Sequence, residues 1–168
     1  MASKPNIIFL DFDGVICNPR ACLAVGNDGL YSYLDPIACM LIKKLCDENN
    51  ARLVISSAWR IGRNLDFMQS ILSAACNRLG EYVWCHQEDW RTVSTVFDND
   101  ESFVSNRGAE IKEWLDRHPS SYNRFVIIDD DSDMEPLMDS FVQTDAYDGI
   151  GFNNFLAAQR ILQGEGGE

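Results

Sequence analysis

The sequence is short of several residue types and patterns, and each shortage narrows what the protein can do. It has two histidines, His86 and His118, and neither has the clustered or i, i+4 partners that a metal site needs, so both are expected to be structural or exposed. Its six cysteines, Cys17, Cys22, Cys39, Cys46, Cys76 and Cys85, are scattered without a Cys-x-x-Cys pair. That spacing argues against a zinc knuckle and a disulfide framework, and it predicts reduced, mostly buried thiols. No run approaches the roughly 18 apolar residues of a membrane span. The opening Met1-Ala2-Ser3-Lys4-Pro5 lacks the basic and apolar regions of a signal peptide, so a soluble, cytoplasmic protein is expected. Basic residues are scarce, 14 against 26 acidic, and the net charge of −12 repels long polyanions and anionic membrane unless a basic patch or bound cation offsets it. There is no internal repeat.

What the chain does have is apolar material in strand-length and helix-length pieces. With 46% apolar and 11% aromatic residues in 168 positions, it can bury one compact α/β core, expected over residues 1–163, followed by a flexible Gly-rich tail at 164–168. Strands are predicted at Asn6 to Leu10, Arg52 to Ser56, Tyr82 to Cys85 and Phe125 to Ile128, with a short fifth at Phe141 to Gln143. Helices are predicted from Asp35, an N-cap followed by Pro36, to Asn49, and from Asn64 to Leu79, Ala109 to Arg117 and Phe152 to Leu162. Strands alternating with helices predict a doubly wound, Rossmann-like parallel sheet with helices on both faces. Val15 to Leu34 is irregular, and Gln87 to Asn106 is polar, without clear period, and carries Asp98 and Asp100.

The informative string is Ile7-Ile8-Phe9-Leu10-Asp11-Phe12-Asp13-Gly14-Val15. A strand too apolar for a surface delivers two carboxylates, and positions two apart on extended backbone share a face, so Asp11 and Asp13 can converge on one ligand. A second cluster, Asp129-Asp130-Asp131-Ser132-Asp133, follows Phe125 to Ile128 in the same way. In an open parallel sheet, ligands bind at the carboxyl ends of the strands. If both clusters meet there, their repulsion calls for a cation, and hard oxygen ligands select Mg2+ or a similar ion held by Asp11, Asp13, Asp129 and Asp130. A calcium loop starting at Asp129 is disfavoured, because Met134 and Ser140 stand where a glycine and a bidentate Glu are needed. Ser56 and Ser57 end the second strand, where hydroxyls and backbone N–H groups can hold phosphate oxygens. Arg107, opening a helix, can add a fixed positive charge, or it can simply pair with Glu110 three positions on.

These strings resemble the four motifs of the haloacid dehalogenase (HAD) superfamily, in order along nearly the whole chain. Asp11 to Val15 is similar to the first motif, Ser56 or Ser57 to the second, Arg107 to the basic third, and Ile127-Ile128-Asp129-Asp130 to the acidic fourth. More narrowly, Ser56-Ser57-Ala58-Trp59-Arg60, Arg107-Gly108-Ala109-Glu110-Ile111 with Trp114-Leu115, and Val142-Gln143-Thr144-Asp145 with Gly149 resemble the HAD domain of phage and bacterial nucleic-acid-repair ("Swiss Army Knife") proteins. Ile150-Gly151 departs from that pattern.

The resemblance implies Mg2+-dependent phosphomonoester hydrolysis through an aspartyl-phosphate. Asp11 is the implied nucleophile and Asp13 the group that alternates as acid and base. Gly14, Ser56, Ser57, Trp59, Arg60 and Arg107 are the residues expected around phosphate and substrate, Trp59 by stacking on a base and Arg60 by reaching a phosphate. Buried packing for Trp59 and a solvated face for Arg60 are the plainer alternatives. The intervals where this superfamily carries cap domains are short here, which implies a nearly capless, open site for a nucleotide or nucleic-acid-end phosphate. A different small phosphometabolite, a phosphoprotein, or a HAD-fold binding module without turnover are the competing expectations.

Overall fold

After Asn6, the first strand contains only apolar residues, and the fold closes around it. The computed structural model describes residues 3–27, 29–94 and 106–165. In it β1 (Asn6–Leu10) lies between β2 (Ala51–Ile55) and β3 (Phe125–Asp129), and β4 (Phe141–Gln143) extends the far side of β3. All three pairings are parallel. Leu10 is in register with Ile55 on one side and Ile128 on the other, so the next residues, Asp11, Ser56 and Asp129, stand side by side at one rim of the sheet.

Period-two alternation divides the sheet's residues between two cores. Ile8, Leu10, Leu53, Ile55, Val126 and Ile128 pack under α2 (Pro36–Asn49), α3 (Leu65–Ala75) and α5 (Phe152–Gln163). Ile7, Phe9, Val54 and Ile127 pack on the opposite face against Ile111, Trp114 and Leu115 of α4 (Arg107–Arg117). The helices begin where short polar side chains satisfy free N–H groups: Asp35 accepts from Ile37, Asn64 from Phe67 and Asn106 from Ala109. The α/β class and the parallel sheet flanked by helices are as the sequence predicts.

Several boundaries differ. The strand expected at Tyr82 to Cys85 is a 3-10 turn (Leu79–Tyr82) followed by a single parallel bridge from Val83 to Leu53, so the sheet has four strands among the described residues. The chain touches the β2 edge at two separate points, Val83 beside Leu53 and Arg91 beside Ile55, and the 3-10 turn Gln87–Trp90 between them prevents a continuous strand. α3 stops at Ala75 rather than at Leu79, because the chain folds back and delivers Leu79 into the core. Within the expected irregular stretch, Asn18 caps a short helix, α1 (Pro19–Ala24), by accepting from Ala21. Asp98, Asp100 and most of the Gly-rich tail lie outside the described residues.

All six thiols are free, with Cys17, Cys22, Cys39 and Cys46 buried and Cys85 exposed. Burial pushes the Cys17 thiol up to about 12. His118 is structural: it stacks on Trp114 at 4.1 Å and lies 3.2 Å from Asp89. Among the described residues, no helix is long and apolar enough to cross a membrane.

Candidate functional site

The three strand ends converge. Asp11, Asp129 and Asp130 each bring a carboxylate oxygen within 4.8 Å of the others. Asp11 is buried and Asp129 is fully so. Arg107 reaches them from the first turn of α4: its Nη1 lies 3.1 Å from Asp11 Oδ1, 3.3 Å from Asp129 Oδ2 and 2.8 Å from the Ser56 carbonyl oxygen. The helix start is fixed to the loop after β3. The Arg107 N–H donates to the Asp133 carboxylate and the Gly108 N–H to the Asp133 carbonyl, both at 3.0 Å. That close approach requires glycine, since a Cβ at Gly108 would sit 2.5 Å from the Glu135 carbonyl oxygen.

Three carboxylates this close repel each other by a few kcal/mol per pair at an effective dielectric near ~20, and one guanidinium offsets only part of that charge. Asp129 responds most strongly. Burial and then the neighbouring Asp11 raise its carboxyl to about 8, and burial with Asp11 and Asp131 also raises Asp130. Arg107 is held above its ordinary value although burial opposes this, because Asp11 and Asp129 favour its charge. Asp129 Oδ1 accepts from the Asp131 N–H at 3.0 Å, while its buried Oδ2 accepts no hydrogen bond. An unsatisfied buried oxygen among three hard donors fits a divalent cation such as Mg2+, with Asp11, Asp129 and Asp130 as the residues to hold it.

A pH dependence follows. A carboxyl raised in the folded state contributes stability that is fully present below its unfolded value near ~4 and is lost as pH rises through about 8. Metal-free protein is therefore expected to melt lower at pH 8.5 than at pH 6. Added Mg2+ should raise the midpoint most at the higher pH, where Asp129 has lost its proton. Differential scanning fluorimetry with and without Mg2+ at the two pH values measures this. An equal Mg2+ effect at both would count against Asp129 as a ligand.

The Asp13 carboxylate, expected among the metal ligands, stands apart from the close group of Asp11, Asp129 and Asp130. Its Oδ1 instead accepts from Trp59 Nε1 at 2.9 Å. Burial raises its carboxyl and the Trp59 bond pulls the other way. Trp59 is likewise turned from the base-stacking role expected of it: its ring packs on Phe12 at 5.4 Å and under the Arg63 guanidinium at 5.0 Å.

Gly14 was expected at the phosphate, yet its N–H donates to the Cys17 carbonyl at 2.8 Å. Its requirement is steric: φ is +73° and a Cβ would lie 2.4 Å from Asp130 Cγ. Gly14→Ala is expected to lose roughly 1–3 kcal/mol from the left-handed backbone alone and to displace Asp130. The melting midpoint should fall by about 2–4 °C per kcal/mol, and the Mg2+-induced rise in that midpoint should shrink.

The two serines separate by geometry. Ser57 Oγ caps the 3-10 turn Ala58–Arg60 by accepting from the Trp59 N–H at 3.3 Å, whereas Ser56 Oγ is buried without a partner. Arg60, expected to reach a phosphate, is buried instead. Nε donates to the Thr92 carbonyl, Nη1 to the Ser56 and Ser57 carbonyls, and Nη2 to the Val93 carbonyl and to Glu110 Oε2 at 2.8 Å. All five donors of the guanidinium are engaged inside the protein, so none remains for a ligand.

Two contributors escape a reading of the sequence alone. Glu110 anchors Arg60 across the fold, and buried Thr144 holds the Gly14 carbonyl with its hydroxyl at 2.7 Å. Glu110 stands three residues after Arg107, where an i, i+3 pair is the simplest expectation, and the 50-residue separation from Arg60 leaves no local trace.

Neither the curated proteins nor the solved structures gave a significant match to the chain. A family model did match, across residues 7–154, and its description is a HAD domain in Swiss Army Knife RNA repair proteins. The match spans β1 to the first turn of α5 and includes every residue of the carboxylate cluster, and on it the chain belongs to that family of HAD domains.

Proposed function

We propose that the protein is a Mg2+-dependent phosphomonoester hydrolase that works through an aspartyl-phosphate on Asp11. The observation that carries this reading is the convergence of Asp11, Asp129 and Asp130 within 4.8 Å, with Arg107 bridging two of them. Asp11 attacks phosphorus in line; as its P–O bond forms, the bond to the leaving oxygen breaks and Asp13 supplies that oxygen with a proton. Water then attacks the phosphorus of the aspartyl-phosphate. Asp13 takes the water's proton, inorganic phosphate leaves, and both carboxyl groups return to their starting states.

Arg107 orients the Asp11 oxygen and offsets negative charge on the transferring group. The unpartnered Ser56 hydroxyl is the donor available to a phosphoryl oxygen. Held by Asp11, Asp129 and Asp130, Mg2+ supplies positive charge beside the phosphoryl oxygens when bound.

For substrate we favour a nucleotide or nucleic-acid-end phosphate. The description of the matched family supports this choice, as does the short interval between β1 and α2, where α1 is the only helix among the described residues. The net charge of −12 favours small or terminal phosphates over long polyanions. Purified protein assayed for phosphate release, with and without Mg2+, on mononucleotides, phosphorylated oligonucleotide ends, sugar phosphates and phosphopeptides tests the reading. Release that needs Mg2+ and is highest on the nucleotide substrates is the expected result. Binding without release from any of them would make the protein a non-catalytic module.

A further inference from the structure

Asp13 is half-buried and belongs to a loop, yet proton transfer to a leaving group needs a carboxyl held in one orientation. Among the described residues, Trp59 Nε1 donates the one side-chain hydrogen bond to it, at 2.9 Å. The indole is itself immobilised. It meets the ring of buried Phe12 at a tilt of 47°. The ring also lies under Arg63, whose guanidinium sits over Phe67 at 5.1 Å and donates to the Trp59 carbonyl at 3.2 Å. Its backbone N–H is capped by Ser57, in a turn whose preceding carbonyls are gripped by buried Arg60.

From this geometry, and resting on the phosphatase function proposed above, we infer that Trp59 is a positioning residue that orients Asp13 for leaving-group protonation. An indole N–H donates and never accepts, so it keeps Asp13 Oδ1 as an acceptor and assigns the transferable proton to Oδ2. Without it the carboxyl turns about its side-chain bonds, and misplacement by about 1 Å can cost on the order of 10²-fold in rate. The contacts with Phe12 and Arg63 hold the ring in place as a strut for that bond.

Orientation of an acid has a signature that packing lacks: it matters in proportion to how badly the leaving group needs a proton. The test measures kcat/KM with Mg2+ on a series of phosphate monoesters running from 4-nitrophenyl phosphate, whose leaving group departs as an anion, to alkyl phosphates, whose leaving group must be protonated. Trp59→Phe is expected to lose less than about 3-fold on the first and about 10- to 100-fold on the last, within the range general acid catalysis supplies. Asp13→Asn should show the same trend with a steeper slope, and the double variant should be no worse than Asp13→Asn. If Trp59→Phe lowers the melting midpoint, replacing Trp59 with β-(3-benzothienyl)alanine, which keeps the ring shape and lacks the N–H, gives the same comparison with the packing intact.

A loss equal across the series, no loss, or a double variant weaker than Asp13→Asn by the full Trp59 factor would overturn the inference while leaving the proposed function standing. A wild-type protein inactive on every ester would overturn both.

Discussion

Asp11→Asn is expected to abolish Mg2+-dependent phosphate release, with kcat lower by at least roughly 10⁴-fold, as when other enzymes lose a covalent nucleophile. The amide matches the carboxylate in shape, so it fits the buried end of β1 beside Arg107, but it has no charge with which to attack phosphorus. A second consequence sets this variant apart from one that merely misfolds. Asp11 is one of the charges that raise Asp129 and Asp130, so neutralising it relieves repulsion among the three carboxylates. Arg107 keeps Asp129 as its partner. Metal-free Asp11→Asn should therefore melt at or above the wild-type temperature while losing turnover. Retained activity in this well-folded variant would require another nucleophile and would end the mechanism proposed above.

The largest loss of stability is expected at Arg60, outside the group of residues assigned to chemistry. Its side chain is almost fully buried, and burial presses its guanidinium below the ordinary value, yet Glu110 and four carbonyls hold the charge in place. Breaking a buried, hydrogen-bonded ion pair by removing one partner typically costs about 3–5 kcal/mol, because polar groups are left behind without water or partner. Arg60→Met keeps much of the aliphatic volume and should reveal that loss as a fall of roughly 6–20 °C in melting temperature for a chain of this size. Arg60→Lys should recover only a fraction, since three donors on a point charge cannot replace five in a plane. Equilibrium denaturation measures both. A change under about 1 kcal/mol for Arg60→Met would mean that the carbonyls find other donors. The effect should extend to activity, because Arg60 fixes the Ser56 and Ser57 carbonyls and Glu110 lies one turn from Arg107.

These two sites also show how much of the molecule can be read from its sequence. β1, α2 and α5 were legible because β1 is a continuous apolar run ending in an acid and the two helices carry apolar residues at helical spacing, and such patterns depend only on neighbours in the chain. The strand expected at Tyr82 to Cys85 was not, since its composition suits a strand but its pairing with β2 is limited to a single bridge between Val83 and Leu53. Composition records what a segment can pair with and says nothing of whether a partner edge is in reach. In the site, Asp11 and the Asp129-Asp130 pair stood out as acids at the ends of apolar strands. Arg60 read as a solvent-facing or phosphate-seeking arginine because carbonyls from Thr92 and Val93, more than 30 residues later, bury it. Asp13 and Trp59 were each noticed, but the hydrogen bond that joins them is a tertiary fact spanning 46 residues. Gly14 and Gly108 reveal their reasons only once Asp130 and Glu135 are placed against them.

The unequal cladding of the sheet bears on how the protein fails under stress. Three helices brace one side, whereas among the described helices α4 alone roofs the other and carries the guanidinium that joins Asp11 to Asp129. Sub-global opening begins where the fewest apolar contacts must be broken. Lifting that lone roof would remove the cation and leave β1 to β3 paired, so mild denaturing conditions should silence the enzyme while most of its backbone is still native.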